Sequence, residues 1–189
     1  MSFQTIQKIP DFARALWRSH GDMMRLNNPV AGYRRLEVMC GELQRIRDER
    51  RMPAIPFYVH IVEYGPPEVS ECLASDMCGE LPDHVLMFLA AKMASRGRSR
   101  FVEICAPRLI DGHQTTEMAC MILVLYRACI LAGGQAPVTI RKLIGPASWR
   151  KLDRTPIDQV KLECRCCELK YLDAYKDYLR ASQVKLIHD

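Results

Sequence analysis

Apolar residues recur at steps of three and four along most of this chain, which is the spacing that puts them on one face of a helix. Over residues 30–51 the apolar positions are Tyr33, Leu36, Met39 or Cys40, Leu43 and Ile46, and the outer face carries Arg34, Arg35, Arg45, Arg47, Arg50 and Arg51. A short helix is expected to start at Pro10, before the break at Asn27, Asn28 and Pro29. Pro53 and Pro56 are expected to end the 30–51 helix. Residues 57–64 are rich in aromatic and β-branched types, and periodicity over so short a run does not separate a strand from a buried helix.

Gly65, Pro66 and Pro67 break the chain again, and residues 67–79 read as a short helix or loop. Pro82 suits the first position of a helix over 82–95. Arg96, Gly97, Arg98, Ser99 and Arg100 read as a flexible basic loop, and 101–105 as a second strand candidate. Asp111 suits a helix cap. The following segment, 113–132, is the most apolar helix in the chain and is expected to be the central core helix, ended by Gly133 and Gly134. Two short helical pieces, 140–144 and 147–152, flank Gly145 and Pro146. Thr155 and Pro156 then open a long helix that runs to about residue 181. The expected fold is mainly α: one compact helical domain over residues 1–189, with a long C-terminal helix over 156–181 and room for two short strands near 57–62 and 101–105. No repeat of a solenoid's period is visible.

Composition fits that picture. Hydrophobic residues make up 49% of the chain and charged residues 26%, so the chain is apolar enough to build a core and not charged enough to stay disordered. The longest apolar run, 118–132, is interrupted by Tyr126 and Arg127 and falls short of a membrane span. The first residues lack the apolar stretch of a secretion signal. The expectation is a soluble, cytoplasmic protein that does not enter a membrane. Nine cysteines, odd in number and scattered among apolar neighbours, behave in a reducing compartment as small hydrophobes rather than as a disulfide framework.

The net charge of +5, from 27 basic and 22 acidic residues, permits contact with nucleic acid, and its distribution is more informative. Between 138 and 161, Arg141, Lys142, Arg150, Lys151, Arg154 and Lys161 face only Asp153 and Asp158. The segment 138–154 has the outline of a helix–turn–helix. Leu143 and Ile144 would pack inward, Gly145 would make the turn, and Trp149 and Leu152 would anchor the second helix. The basic residues could then neutralise phosphates while Ser148 and Arg150 approach base edges. A plain helical hairpin with a solvated basic rim is the competing reading. Arg96, Arg98 and Arg100 could clamp a phosphate backbone or simply keep a loop soluble.

The densest cysteine cluster is Cys164, Cys166 and Cys167. A Cys-x-x-Cys pair can supply two thiolates to zinc, which usually takes four ligands, and no second pair follows. Ile157, Val160, Cys164, Cys167, Tyr171, Ala174 and Tyr178 also form one helical stripe, with Cys166 off it. Buried helical thiols and metal ligands both remain open as readings of Cys164 and Cys167. No cofactor other than zinc is suggested. The five histidines are widely spaced and stand in no metal-protease, nucleophile-elbow or phosphate-loop pattern, so a non-catalytic protein is expected.

Two fragments carry a family resemblance. Leu162, Glu163, Cys164, Arg165, Cys166 and Cys167 look like the first half of the zinc motif in the larger subunit of the flagellar master-regulator type of bacterial transcription activator. Leu81 with Pro82, Leu89 with Ala90, and the run Asp111, Gly112, His113, Gln114 and Thr115 resemble a stretch of its smaller subunit. Similar regulators occur on conjugative elements. The resemblance implies a transcriptional activator that binds double-stranded DNA in an oligomeric complex, with a second subunit or with itself, possessing a zinc site at Cys164 and Cys167. The second cysteine pair that completes that site in the family is missing here. The alternative expectation is a non-catalytic adaptor or scaffold of a secretion or conjugation apparatus, docking a partner through Tyr171, Tyr175, Tyr178 and Leu179 on the long helix.

Overall fold

Proline decides where several helices begin. In the computed structural model, which describes residues 29–111 and 116–188 and, within these, the side chains other than those at 29–35, 175, 178, 179 and 181–188, the described residues form ten helices and no strand. They are α1 (Pro29–Glu49), α2 (Ala54–Tyr64), α3 (Pro67–Cys72), α4 (Ala74–Glu80), α5 (Asp83–Ser95), α6 (Ser99–Asp111), α7 (Thr116–Leu131), α8 (Val138–Ile144), α9 (Pro146–Asp153) and α10 (Ile157–His188). Pro53, Pro66, Pro82 and Pro137 each stand just before a helix in extended backbone, where a missing N–H costs nothing. The helix expected from Pro10 lies outside the described residues. None of the described helices is long and apolar enough to cross a membrane.

The chain divides into two compact units, with the boundary between Leu73 and Ala74. In the first, α3 packs on α1 and α2. Its core holds Met39, Cys40, Leu43 and Ile46 from α1 and Ile55, Phe57, Tyr58, Val59, Ile61 and Val62 from α2. The strand candidate at 57–62 is therefore helix. Pro56 sits in the first turn of α2, where it is tolerated, and burial on nearly every side outweighs the modest helix penalty of the β-branched residues. The arginine face of α1 is only partly solvated. The Arg47 guanidinium lies 5.2 Å from the Tyr58 ring centroid and donates to the Tyr58 hydroxyl at 2.8 Å, and Arg45 pairs with Glu42 and Glu49.

The second unit is built around α5, against which α6, α7 and α10 all pack. Val85 to Ala91, Met93 and Ala94 are buried, so this helix is apolar all round. Residues 113–132 were the expected central helix. α7 does contribute Met121 to Tyr126 and Cys129 to the core, yet Glu117, Ala119 and Cys120 in its first turns are exposed. The second strand candidate, 101–105, is also helix. Phe101, Val102, Cys105, Ala106 and Leu109 form the buried stripe of α6, which continues through Pro107 rather than stopping before it. Asp111 is the last residue of α6 rather than a cap of α7.

α10 is 32 residues long, roughly 48 Å at the helical rise. It packs on α5 and α7 through the expected stripe: Val160 and Cys164 are buried, Cys167, Tyr171 and Ala174 half-buried, and Cys166 exposed. Ile157, at the head of the stripe, is exposed. Lys170 pairs with Glu117 of α7.

Candidate nucleic-acid interface

Residues 138–154 fold as two short helices joined by one residue. Gly145 closes α8 by donating its N–H to the Arg141 carbonyl at 3.1 Å, and opens α9 by accepting from the Trp149 N–H at 3.2 Å. Its backbone, at φ 77° and ψ 156°, lies in a region open essentially to glycine. The usual helix–turn–helix connection takes three or four residues, so this is a tighter hairpin than the sequence outline suggests. Gly145→Ala is expected to cost about 1–3 kcal/mol, read as a lowered urea midpoint, although a Cβ there would meet nothing within 4 Å.

Both arms are held to the core. In α8, Ile140 is buried and the Thr139 hydroxyl donates to Glu103 of α6 at 2.8 Å. Leu143 and Ile144 are half-buried. α9 has no fully buried residue. Its anchors are half-buried Trp149 and Leu152, with the Trp149 ring centroid 5.3 Å from that of Tyr126 in α7. The Arg141 guanidinium lies 5.0 Å from the Trp149 ring centroid, so Tyr126, Trp149 and Arg141 link core, second helix and first helix. Burial pushes the Tyr126 phenol up to about 12, which keeps this ring neutral over the working pH range.

The acid of the segment is turned away from its cations. Asp153 pairs with Arg127 of α7 at 3.0 Å. Arg141, Lys142, Ser148, Arg150, Lys151 and Arg154 are all exposed. Arg150 donates to the carbonyl of Pro146 in its own helix at 3.2 Å. Among the described residues, none of these five cations is in an ion pair.

The second basic group is placed differently from its expectation. Residues 96–100 form a turn at 96–98 and the first two residues of α6. Gly97, at φ 73°, ends α5, with its N–H bonded to the Ala94 carbonyl and that of Arg98 to the Met93 carbonyl. A Cβ at Gly97 would stand 2.7 Å from Ala132 Cβ. Arg96 is exposed and Arg98 half-buried, and Arg100 is exposed in the first turn of α6, one turn before the Glu103 that binds Thr139.

Cys164 and Cys167 sit on an unbroken helix. Burial pushes the Cys164 thiol up to about 11 and raises that of Cys167, which opposes the thiolate form that zinc needs. Cys129, whose thiol burial pushes up to about 12, lies near Cys164 and feels its charge. No group of three or more His, Cys, Asp or Glu among the described residues could hold a metal ion, so the cysteines present do not fit the zinc site that the resemblance implies.

Glu103, Tyr126, Arg127 and Thr139 were not singled out from sequence, although Tyr126 and Arg127 interrupt an otherwise apolar run, and that interruption marks where the hairpin docks. The tyrosines at 175 and 178 and Leu179 lie outside the described side chains, and Tyr171 is half-buried. Compared with protein-family models, curated proteins and solved structures, the chain has no significant match in any of the three.

Proposed function

We propose that this chain is a non-catalytic, cytoplasmic transcriptional regulator that binds double-stranded DNA through the α8–α9 hairpin, as one subunit of an oligomeric complex. The observation that carries this reading is the set of five exposed cations, Arg141, Lys142, Arg150, Lys151 and Arg154, free of ion pairs among the described residues on a hairpin clamped to α6 and α7. A rigid cationic ridge meets phosphates with little side-chain ordering left to do, and Ser148 near the start of α9 is where a reading helix addresses base edges. Arg100 and, more weakly, Arg96 and Arg98 would extend the phosphate contacts. An activating role and a place on a mobile element come from the family resemblance alone.

The test is fluorescence anisotropy of the full chain with a labelled duplex across a salt series. Neutralising Z phosphates gives a slope of log K against log salt of about −0.9Z. A slope of about −4.5 is expected for the five cations of this ridge, and no binding at low salt would end the proposal.

The adaptor reading keeps one supporting observation. Leu162 and Leu169, two turns apart on α10, are 65% and 43% exposed, and with exposed Cys166 they make an apolar strip on the face away from the core. A variant with Leu162→Ser and Leu169→Ser that lost a partner while keeping duplex affinity would favour it.

A further inference from the structure

Two cysteines that belong neither to the hairpin nor to the α10 cluster stand in direct contact. Cys78 of α4 and Cys105 of α6 have their sulfurs 3.5 Å apart. Cys78 is half-buried and Cys105 buried, so the first is reachable from solvent and the second is not. The Cys78 sulfur also lies 3.9 Å from the Ile104 carbonyl oxygen. One turn beyond Cys105, the Arg108 guanidinium is fixed by the Leu81 carbonyl at 2.8 Å and by Asp83 at 3.1 Å.

We propose that Cys78 and Cys105 form a redox modification site, at which a hydroperoxide oxidises Cys78 and Cys105 then closes a disulfide between α4 and α6. The environment divides the roles. The hydrogen-bonding contact with Cys105 lowers the Cys78 thiol, burial works against this, and the Arg108 charge adds to the lowering. Burial, with the Cys78 contact, pushes Cys105 well up. The proton therefore stays on Cys105, and thiolate character collects on the accessible sulfur, which is the arrangement a peroxide-reactive thiol needs.

The Cys78 thiolate attacks the terminal oxygen of the hydroperoxide. A sulfur–oxygen bond forms, the oxygen–oxygen bond breaks, and the leaving alkoxide takes up the proton that Cys78 released. Cys105 then loses its proton and its sulfur attacks the Cys78 sulfenic acid. The sulfur–oxygen bond breaks and hydroxide leaves as water. Two thiols lose two electrons in all, and the hydroperoxide becomes an alcohol and water. A disulfide needs sulfurs about 2.05 Å apart, so closing the 3.5 Å gap asks for rotation of two side chains and a small approach of α4 to α6.

The test uses the purified full chain with one equivalent of hydrogen peroxide, quenched with an alkylating agent and mapped by mass spectrometry. The expected product is a cross-linked peptide joining Cys78 to Cys105, two hydrogens lighter, reversed by dithiothreitol. It should form about tenfold faster than oxidation of the exposed Cys72, Cys120 and Cys166. The bond closes a loop over a separation of 27 residues, for which a melting-temperature rise on the order of 10 °C is expected. In Cys105→Ser, which removes the second thiol, Cys78 should accumulate as a sulfenic acid trapped by dimedone. Should that variant fold poorly, the wild-type map decides alone. Cys78 still free to alkylate after exposed cysteines have oxidised, or cross-linked to another cysteine, overturns the proposal.

Discussion

A chain carrying Arg150→Glu with Lys151→Glu is expected to bind duplex DNA on the order of 100-fold more weakly than the parent at physiological salt, because two phosphate contacts are replaced by two repulsions. The salt slope should become shallower by about 2. Both side chains are exposed and outside any ion pair among the described residues, so their folded-state role is small. The cost to stability should be limited to the unfavourable placing of acids in the last turn of α9, roughly 0.3–1 kcal/mol each. Circular dichroism of the variant should therefore match the parent. The control is Arg50→Glu with Arg51→Glu, which changes the net charge equally at two exposed arginines following α1. If the control loses as much affinity as the hairpin variant, binding reports only overall charge. Parental affinity in the hairpin variant removes α8 and α9 from the interface.

The largest effect on stability is expected at Phe88. It is buried at the centre of α5, in a helix that three others cover. Phe88→Ala removes a ring that the surrounding helices cannot collapse to replace, and core truncations of this kind cost about 3–5 kcal/mol. With a urea dependence of about 2 kcal/mol/M, the midpoint of the second unit should fall by about 2 M. Leu162→Ala, a truncation on the exposed side of α10, should lower stability by no more than about 0.5 kcal/mol. Equal midpoints for Phe88→Ala and the parent in urea titrations followed by circular dichroism would contradict the burial of α5.

Local pattern carried most of the secondary structure. The stripe over 30–51, the helix after Pro82 and the division at Gly145 all reappear in α1, α5, α8 and α9, because each is set by a repeat of three and four residues or by a proline or glycine. The two strand candidates share one physical reason for their ambiguity. Residues 57–62 and 101–105 are apolar runs too short for periodicity to separate strand from buried helix, and each lies close to a proline. In α2 it lies in the first turn, and in α6 it lies inside the helix. The helical stripe of α6 runs from Phe101 across Pro107 to Leu109, longer than the apolar run at 101–105 alone.

Taken alone, the amino-acid order determined that this protein is mainly helical, where most helices start and stop, that Val160 and Cys164 lie on one helical stripe, and that positive charge gathers between 138 and 154. Each of these depends on residues a few positions apart, and such neighbours meet whatever the rest of the chain does. Only the tertiary structure decided that α5 is the buried centre of the second unit, that Asp153 pairs with Arg127 and leaves the hairpin cations outside any ion pair among the described residues, and that Cys78 touches Cys105 across 27 positions. Those outcomes come from which helix faces pack together, a long-range choice made by fitting volumes and pairing buried charge, and no local repeat records it.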